Sequence, residues 1–152
     1  MNDIQFRIAT RYGFVHRYVE GEIKECEHNT DFYDIVIDGL SLYGIFKEYD
    51  FISVFSQEYD EQILENIKKN FLLESPFDSE LEDGRYFLFV CPMCADLGCG
   101  AVTVRIQQEQ ERIVWSDFRY EDHQTSRPLD MNTYRFDRKE YAERIRSLTK
   151  EE

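Results

Sequence analysis

Long apolar runs are missing from the 152-residue sequence. No run approaches the roughly 18 residues that a membrane-spanning helix requires, so no membrane partner is expected. The opening residues Met1-Asn2-Asp3 lack the basic and apolar regions of a secretory signal peptide. We therefore expect a cytoplasmic protein, in which cysteines serve as thiols or metal ligands rather than as a disulfide framework.

Motifs of the common enzyme classes are also missing. The chain has three well-separated histidines and contains no G-x-S-x-G elbow, no glycine loop for phosphate and no H-E-x-x-H motif. Carboxylate pairs are abundant, but in so acidic a chain they indicate solvation rather than catalysis. These absences argue against a conventional hydrolase or nucleotide enzyme, and no catalytic residue is assigned.

Basic residues are few between Glu20 and Asp83. This stretch, region 20–83, holds 18 acidic and 4 basic residues, a net charge of −14, whereas the whole chain carries −13. Such a charge repels nucleic-acid phosphates and anionic lipid surfaces, and it attracts a basic protein. The region either keeps the protein soluble or forms an electrostatic docking face.

The residues that are present favour a folded core. Hydrophobic residues make up 42% of the chain and aromatic residues 15%, enough for one domain of this length. The sequence shows no internal repeat and no low-complexity linker that would divide it. Trp115, the only tryptophan, is predicted to be a core anchor.

The first half is predicted to mix strands and helices. Alternating apolar residues predict one strand from Ile4 to Ile8 and a second over Phe14 to Val19. A short strand over 34–38 ends at a turn, after which Ser41 can cap a short helix. Asp60 is the predicted N-cap of a longer helix. Its apolar stripe comprises Ile63, Leu64, Ile67, Phe71 and Leu72.

The second half is predicted to be an antiparallel meander with strands over 85–91, 100–107 and 113–120, after an exposed acidic loop over 78–84. The middle strand alternates between an apolar face and a face that is expected to be wet. The apolar face comprises Val102, Val104 and Ile106, and the wet face Thr103, Arg105 and Gln107.

A final helix is predicted to begin after Asp137, with Tyr141, Ile145 and Leu148 as its apolar stripe. This helix or the Asp60 helix must cover the buried face of the meander. The prediction is therefore a single α+β domain over residues 1–152, with an antiparallel sheet covered by two or three helices.

Three of the four cysteines lie in the segment from Cys91 to Gly100, with the spacing C-x2-C-x4-C. Cys91, Cys94 and Cys99 can supply three thiolates to a zinc ion, and zinc is the one cofactor that the sequence suggests. A closed site needs a fourth ligand, which local spacing does not identify. The candidates are Cys26, His28, His16, His123 and Asp96.

Two other interpretations of this segment stay open. Cys91 and Cys94 can form a redox dithiol, although the motif leads into a strand rather than a helix, and Asp96 adds a negative charge that disfavours a thiolate. Alternatively, the cysteines are small buried apolar groups, and the glycines adopt backbone conformations closed to other residues.

The last seventy or so residues contain three motifs, which are C-P-x-C-x-D-x-G-C-G at 91–100, W-x-D-F at 115–118 and F-D-x-x-x-Y at 136–141. With these motifs, this part of the chain resembles a family of small bacterial proteins. The resemblance implies a shared scaffold, to which no activity is attached, and it leaves the acidic first half outside the motif.

Two functional hypotheses follow. The first is a non-catalytic binding module, of the immunity or antitoxin kind, that binds a basic protein through region 20–83. The alternative is a metal-binding or thiol-redox protein that uses Cys91, Cys94 and Cys99.

Overall fold

The computed structural model describes residues 1–75, 81–82, 84–92 and 97–150, apart from the side chains of residues 15 and 17. Strand β1 (Ile4–Arg11) runs antiparallel to β4 (Thr30–Ile37) over its whole length. A two-residue turn at Asp38 and Gly39, both with positive φ, returns the chain into β5 (Leu40–Ser41). These strands form a three-stranded sheet in the order β1-β4-β5.

The strands that follow Gly13 form a separate hairpin. β2 (Phe14–Val19) pairs with β3 (Glu22–Glu27) in a two-stranded sheet. Glu20 and Gly21 connect them with φ values of 51° and 82°, as in a type I′ turn. The two predicted early strands, β1 and β2, are therefore present. They do not pair with each other, because β1 pairs with β4 and β2 pairs with β3.

The larger sheet is formed by the second half together with one short earlier strand. Its members are β6 (Ile52–Ser53), β7 (Arg85–Val90), β8 (Ala101–Glu109), β9 (Arg112–Glu121), β10 (Ser126–Pro128) and β11 (Tyr134–Asp137). Their order is β10-β9-β8-β7-β6, with β11 also paired to β9. The predicted meander is β7-β8-β9. An isolated bridge pairs Phe32 of β4 with Ser56, a residue that follows β6.

Three α-helices begin at the predicted caps. Ser41, Asp60 and Asp137 each accept a hydrogen bond from a backbone N–H in the first turn. The helices are α1 (Leu42–Ile45), α2 (Glu61–Phe71) and α3 (Arg138–Arg146), and a 3-10 turn covers Lys47–Tyr49. Among the described residues, no helix has both the length and the apolar character that crossing a bilayer requires.

One apolar core lies between the sheets and the helices α2 and α3. Trp115 is fully buried, and its ring meets those of Phe71, Phe136 and Tyr141 at centroid distances of 5.9, 5.3 and 6.1 Å. Rings from a helix and from the sheet thus interlock in edge-on contacts. The α+β architecture and the core position of Trp115 are confirmed.

Two details of the predicted burial are wrong. Thr103, assigned to the wet face of β8, is fully buried, because Arg85 and Glu121 cover it. In α2, Lys68 is buried beside the apolar stripe, whereas Ile63, which was predicted to belong to that stripe, is 43% exposed. The ammonium group of Lys68 is buried because it donates hydrogen bonds to the carbonyl oxygens of Arg146 and Leu148 at the end of α3.

Candidate functional site

The segment from Cys91 to Gly100 connects β7 to β8, as predicted. Cys91 is a half-buried free thiol that follows Val90, the residue opposite Ile52 of β6. Cys99, at the other end of the segment, is disulfide-bonded. Cys94 lies outside the described residues. The structure therefore presents a thiol and a disulfide sulfur at the two ends of one connection.

Gly100 has the backbone conformation that the sequence suggested for a glycine. Its φ is +87°, and a Cβ atom there would lie 2.5 Å from the hydroxyl oxygen of Tyr120. Any side chain at this position would strain the backbone and displace Tyr120. The close approach holds the start of β8 against β9.

Arg11, at the end of β1, lies beside the cysteine segment. Its Nε donates to Oδ1 of Asp50 at 2.9 Å, and its Nη2 donates to Oδ2 at 2.7 Å. Asp50 has φ of 57°, a left-handed conformation that ends the 3-10 turn. The hydrogen bond that Arg11 donates to Asp50 is the largest cause of its raised pKa, and burial opposes this shift. A two-point ion pair of this kind fixes the plane of the guanidinium group.

Arg11, Cys91 and Cys99 line one cavity of about 390 Å³. Tyr49 forms part of its wall, and its ring stacks on Phe51 and Tyr120 at 5.5 and 5.2 Å. Phe14 and His16 reach the same cavity from the hairpin. Residues from β1, the hairpin, the 3-10 turn and the cysteine segment therefore meet at one place.

The zinc site stays a prediction. A sulfur in a disulfide is not a thiolate, so Cys99 could bind zinc only after reduction. Within the described ranges, no group of three or more His, Cys, Asp or Glu side chains is arranged to hold a metal ion. Because a disulfide is maintained in oxidising compartments and reduced in the cytosol, the cytoplasmic location also stays a prediction.

The proposed fourth ligands are dispersed. His16 lines the cavity with Cys91 and Cys99, whereas Nε2 of His28 lies 2.6 Å from Glu58. Cys26 is a free thiol on β3, and His123 lies between β9 and β10. Asp96 lies outside the described residues. Of the described candidates, the structure thus brings only His16 to the cysteine cavity.

Acidic residues of region 20–83 are divided between structural and exposed positions. Asp34 is buried and accepts hydrogen bonds from Ser41 and from the backbone of Tyr43. Asp50 pairs with Arg11, and Asp60 caps α2. These carboxylates stabilise the fold, so the net charge of the region overstates the charge available to a partner.

The hairpin, by contrast, exposes both its acidic and its apolar side chains. Glu22, Glu25 and Glu27 are exposed along β3. Tyr18 and Ile23 lie opposite each other across the strands and are 76% and 71% exposed. Phe14, two pairs further along the same face, is 62% exposed. Because side chains alternate along a strand, Glu25 and Glu27 lie on this face and Glu22 on the other. The outcome is an apolar stripe bordered by two glutamates.

A buried ionic cluster around Arg85 was not anticipated from the sequence. The arginine side chain is 1% exposed, and its guanidinium group donates to Asp117, at 3.0 Å, and to Thr103, at 2.7 Å. Its Nε lies 3.5 Å from Glu121 Oε2, outside hydrogen-bond geometry. Burial is the main cause of its lowered pKa, which Glu121 and Asp117 oppose. Strand periodicity gives no signal for such a cluster, because Thr103 and Asp117 belong to other strands, β8 and β9.

Comparison with known proteins does not identify the chain: no protein-family model, curated protein or solved structure matches it.

Proposed function

We propose that the protein is a non-catalytic binding module, of the immunity or antitoxin kind, that binds a basic protein partner. The docking surface, here called the hairpin face, comprises Phe14, Tyr18 and Ile23 together with Glu25 and Glu27, which alternate onto the same face of the hairpin. The observation that carries the proposal is the joint exposure of the Tyr18–Ile23 pair and of these glutamates on a two-stranded sheet.

The hairpin face supports this proposal for energetic reasons. An isolated two-stranded hairpin is marginally stable in water, and three large apolar side chains on its surface add an unfavourable contact with solvent. A partner that covers Tyr18 and Ile23 removes that surface from water. Aromatic side chains are enriched among the residues that dominate binding energy in protein interfaces.

The charge of the hairpin indicates the chemistry of the partner. Its turn and β3 contribute four glutamates, Glu20 included, against Lys24 alone. Clustered negative charge accelerates association with a positively charged protein and repels anionic competitors. The exposed acids elsewhere in region 20–83 extend the same attraction.

The proposal is tested by charge reversal with a matched control. The double variant E25K/E27K and the control E109K/D130K change the net charge equally, because each reverses two carboxylates. All four side chains are exposed, so neither variant disturbs the core. Each is used as bait in a lysate of the source cells, and captured proteins are identified by mass spectrometry. We expect the wild type and the control to retain a basic protein at low salt, and the hairpin variant to lose it.

An apolar variant tests the second part of the hairpin face. Y18S/I23S should weaken binding of the captured protein by about tenfold or more, because it removes exposed anchor residues. The free energy of unfolding should change by no more than about 0.5 kcal/mol, since both side chains are exposed. Equal capture by both charge-reversal variants, or capture that high salt does not reduce, would rule out docking through this face.

A further inference from the structure

The backbone of β3 has an outer edge that points away from β2. The two strands bond through alternate residues, as antiparallel strands do, and the hydrogen bond from the N–H of His28 to the carbonyl oxygen of Gly13 fixes which residues these are. The even-numbered residues of β3 therefore bond to β2. The N–H and carbonyl groups of Ile23, Glu25 and Glu27 point outward.

This outer edge is open in the part of the chain that the structure describes. β2 and β3 form a sheet of their own, and no backbone hydrogen bond from another segment reaches Ile23, Glu25 or Glu27. Five of the six side chains of β3 are exposed, so no neighbouring element shields the edge. A row of unpaired backbone groups of this kind is a template for pairing with another chain.

The side chains beside the edge favour a cationic strand. Ile23, Glu25 and Glu27 all project onto the hairpin face, because they occupy alternate positions of β3. Both carboxylates are exposed, and that of Glu27 accepts a hydrogen bond from Asn29 at 3.0 Å. Opposite charges that face each other on neighbouring strands stabilise the pairing, whereas like charges destabilise it. A second copy of β3 is therefore disfavoured, and a strand with lysine or arginine is favoured.

The other strand edges suit such a partner less well. β5, β6 and β11 have at most four residues, and β10 ends at Pro128, which cannot donate to a ladder. β1 carries the exposed Arg7, which repels a cationic strand. Phe14 and His16 place the near end of β2 beside the cysteine segment. The edge of β3 is therefore the site for strand addition that the described residues favour.

We propose that the basic partner binds by strand addition, in which an extended segment of the partner pairs antiparallel with the outer edge of β3. This inference rests on the proposed function and adds the chemistry of the segment. Read from its amino terminus, the segment carries a cationic residue opposite Glu27, a second opposite Glu25 and an apolar residue opposite Ile23, with one residue between each. The added strand also stabilises the hairpin, because a sheet of two strands is marginally stable and a third strand completes it.

A synthetic peptide tests the pairing without the natural partner. The probe is the acetylated and amidated heptapeptide Thr-Lys-Thr-Lys-Thr-Val-Thr, which is added at low salt to isotope-labelled protein and followed by two-dimensional NMR. We expect slower hydrogen exchange at the N–H groups of Ile23, Glu25 and Glu27, because these groups gain acceptors. The N–H groups of Lys24 and Cys26 already bond to β2 and should change little.

Two methylated peptides separate backbone pairing from charge attraction. In the first, the backbone nitrogens of both lysines are methylated, which removes donors that face β3. In the second, the same change is made at the two threonines that flank the second lysine, whose N–H groups face away from β3. Both peptides keep their charge. The first should bind about tenfold more weakly than the unmodified peptide, and the second within about twofold of it.

Two variants of Glu25 test the same edge from the protein side. E25A removes the carboxylate, and E25P also removes an outward N–H group, at an edge position where proline is tolerated. E25P should bind the heptapeptide at least about threefold more weakly than E25A. If the NMR signals of β2 and β3 show that E25P does not keep the hairpin folded, the methylated peptides decide.

Three results would overturn strand addition. They are no binding of the unmodified heptapeptide, equal binding of the two methylated peptides, and binding that leaves hydrogen exchange at Glu25 unchanged. Any of these together with the loss of lysate capture in E25K/E27K would leave the proposed function intact. If E25K/E27K instead captures the same basic protein as the wild type, the proposed function fails, and the methylated peptides still decide whether the edge accepts a cationic strand.

Discussion

The guanidinium group of Arg11 lies against the backbone of Gly13, while Asp50 holds it from the other side. A Cβ atom at Gly13 would be 2.7 Å from Nη1 and 2.9 Å from Cζ of Arg11. An arginine side chain ordinarily moves aside from such a contact, but this one is held by two hydrogen bonds. The absence of a side chain at residue 13 therefore allows the Arg11–Asp50 pair to form where β1 leads into the hairpin.

Gly13→Ala should lower the free energy of unfolding by about 1–3 kcal/mol, because the added methyl group overpacks a restrained side chain. Chemical denaturation measures the change. In an R11M background the same substitution should cost much less, since the guanidinium group is gone. Gly44→Ala is the control, because its nearest contact would be at 3.5 Å. An equal cost in both backgrounds would contradict this account.

Arg85→Met should lower the free energy of unfolding by about 3–5 kcal/mol, because it leaves the half-buried Glu121 and the buried Thr103 without their cationic partner. Arg119→Met is a matched control, since Arg119 pairs with the same Asp117 but is 33% exposed. A surface pair contributes about 0–1 kcal/mol. Urea titrations measure the loss of unfolding free energy in both variants. Equal losses would show that the buried Arg85 cluster contributes no more to stability than the exposed Arg119 pair.

Tyr141→Phe should lower the free energy of unfolding by about 1–3 kcal/mol, since it removes a buried hydroxyl group that donates one hydrogen bond and accepts another. That hydroxyl donates to the carbonyl oxygen of Phe71 at 2.8 Å and accepts from Nε1 of Trp115 at 3.3 Å. Trp115 fluorescence reports the transition. Tyr33→Phe, whose hydroxyl bonds to Thr149 in an exposed contact, is the control and should cost less. Equal costs would contradict the role assigned to burial.

Asp38 should make a small, pH-dependent contribution to stability. The backbone N–H of Asp3 and, second, the side chain of Asn2 bond to its carboxylate and lower its pKa below the ordinary 3.8. A lowered folded-state pKa stabilises the fold above the ordinary value, and the stabilisation is lost as the pH falls through the folded pKa. Because the group is exposed, a few tenths of a kcal/mol are expected.

The measurement is thermal unfolding of the wild type and of D38N from neutral to acidic pH. The wild type should be more stable at neutral pH, and the difference should vanish in acid. D130N, which changes an exposed carboxylate elsewhere, serves as the control. If the difference in stability between the wild type and D38N persists unchanged in acid, the effect does not come from the charge of the Asp38 carboxylate.

Local patterns were sufficient for most of the elements. Ser41, Asp60 and Asp137 were predicted as caps because a short polar side chain before an apolar periodic stretch bonds to the first-turn N–H groups. The β7-β8-β9 meander followed from alternation and intervening turns. These signals are local, since each depends on residues a few positions apart.

Local patterns failed where a polar group acquires its partner from a distant element. Lys68 is absent from the predicted apolar stripe of α2, yet carbonyl groups at the end of α3 make its burial favourable. Thr103 was placed in solvent, although Arg85 covers it. Periodicity predicts which face is apolar, and it contains no information about a hydrogen-bond partner on another element.

By itself, the sequence determined the α+β class, the three helix starts, the acidity of region 20–83 and the concentration of cysteines between β7 and β8. Only the tertiary structure decided which acids are exposed, which glutamates border the Tyr18–Ile23 pair, and that Arg11 lines a cavity with Cys91. The physical reason is that caps and periodicity arise within a few residues, whereas exposure, ion pairing and thiol surroundings depend on contacts that exist only after the sheets and helices have packed.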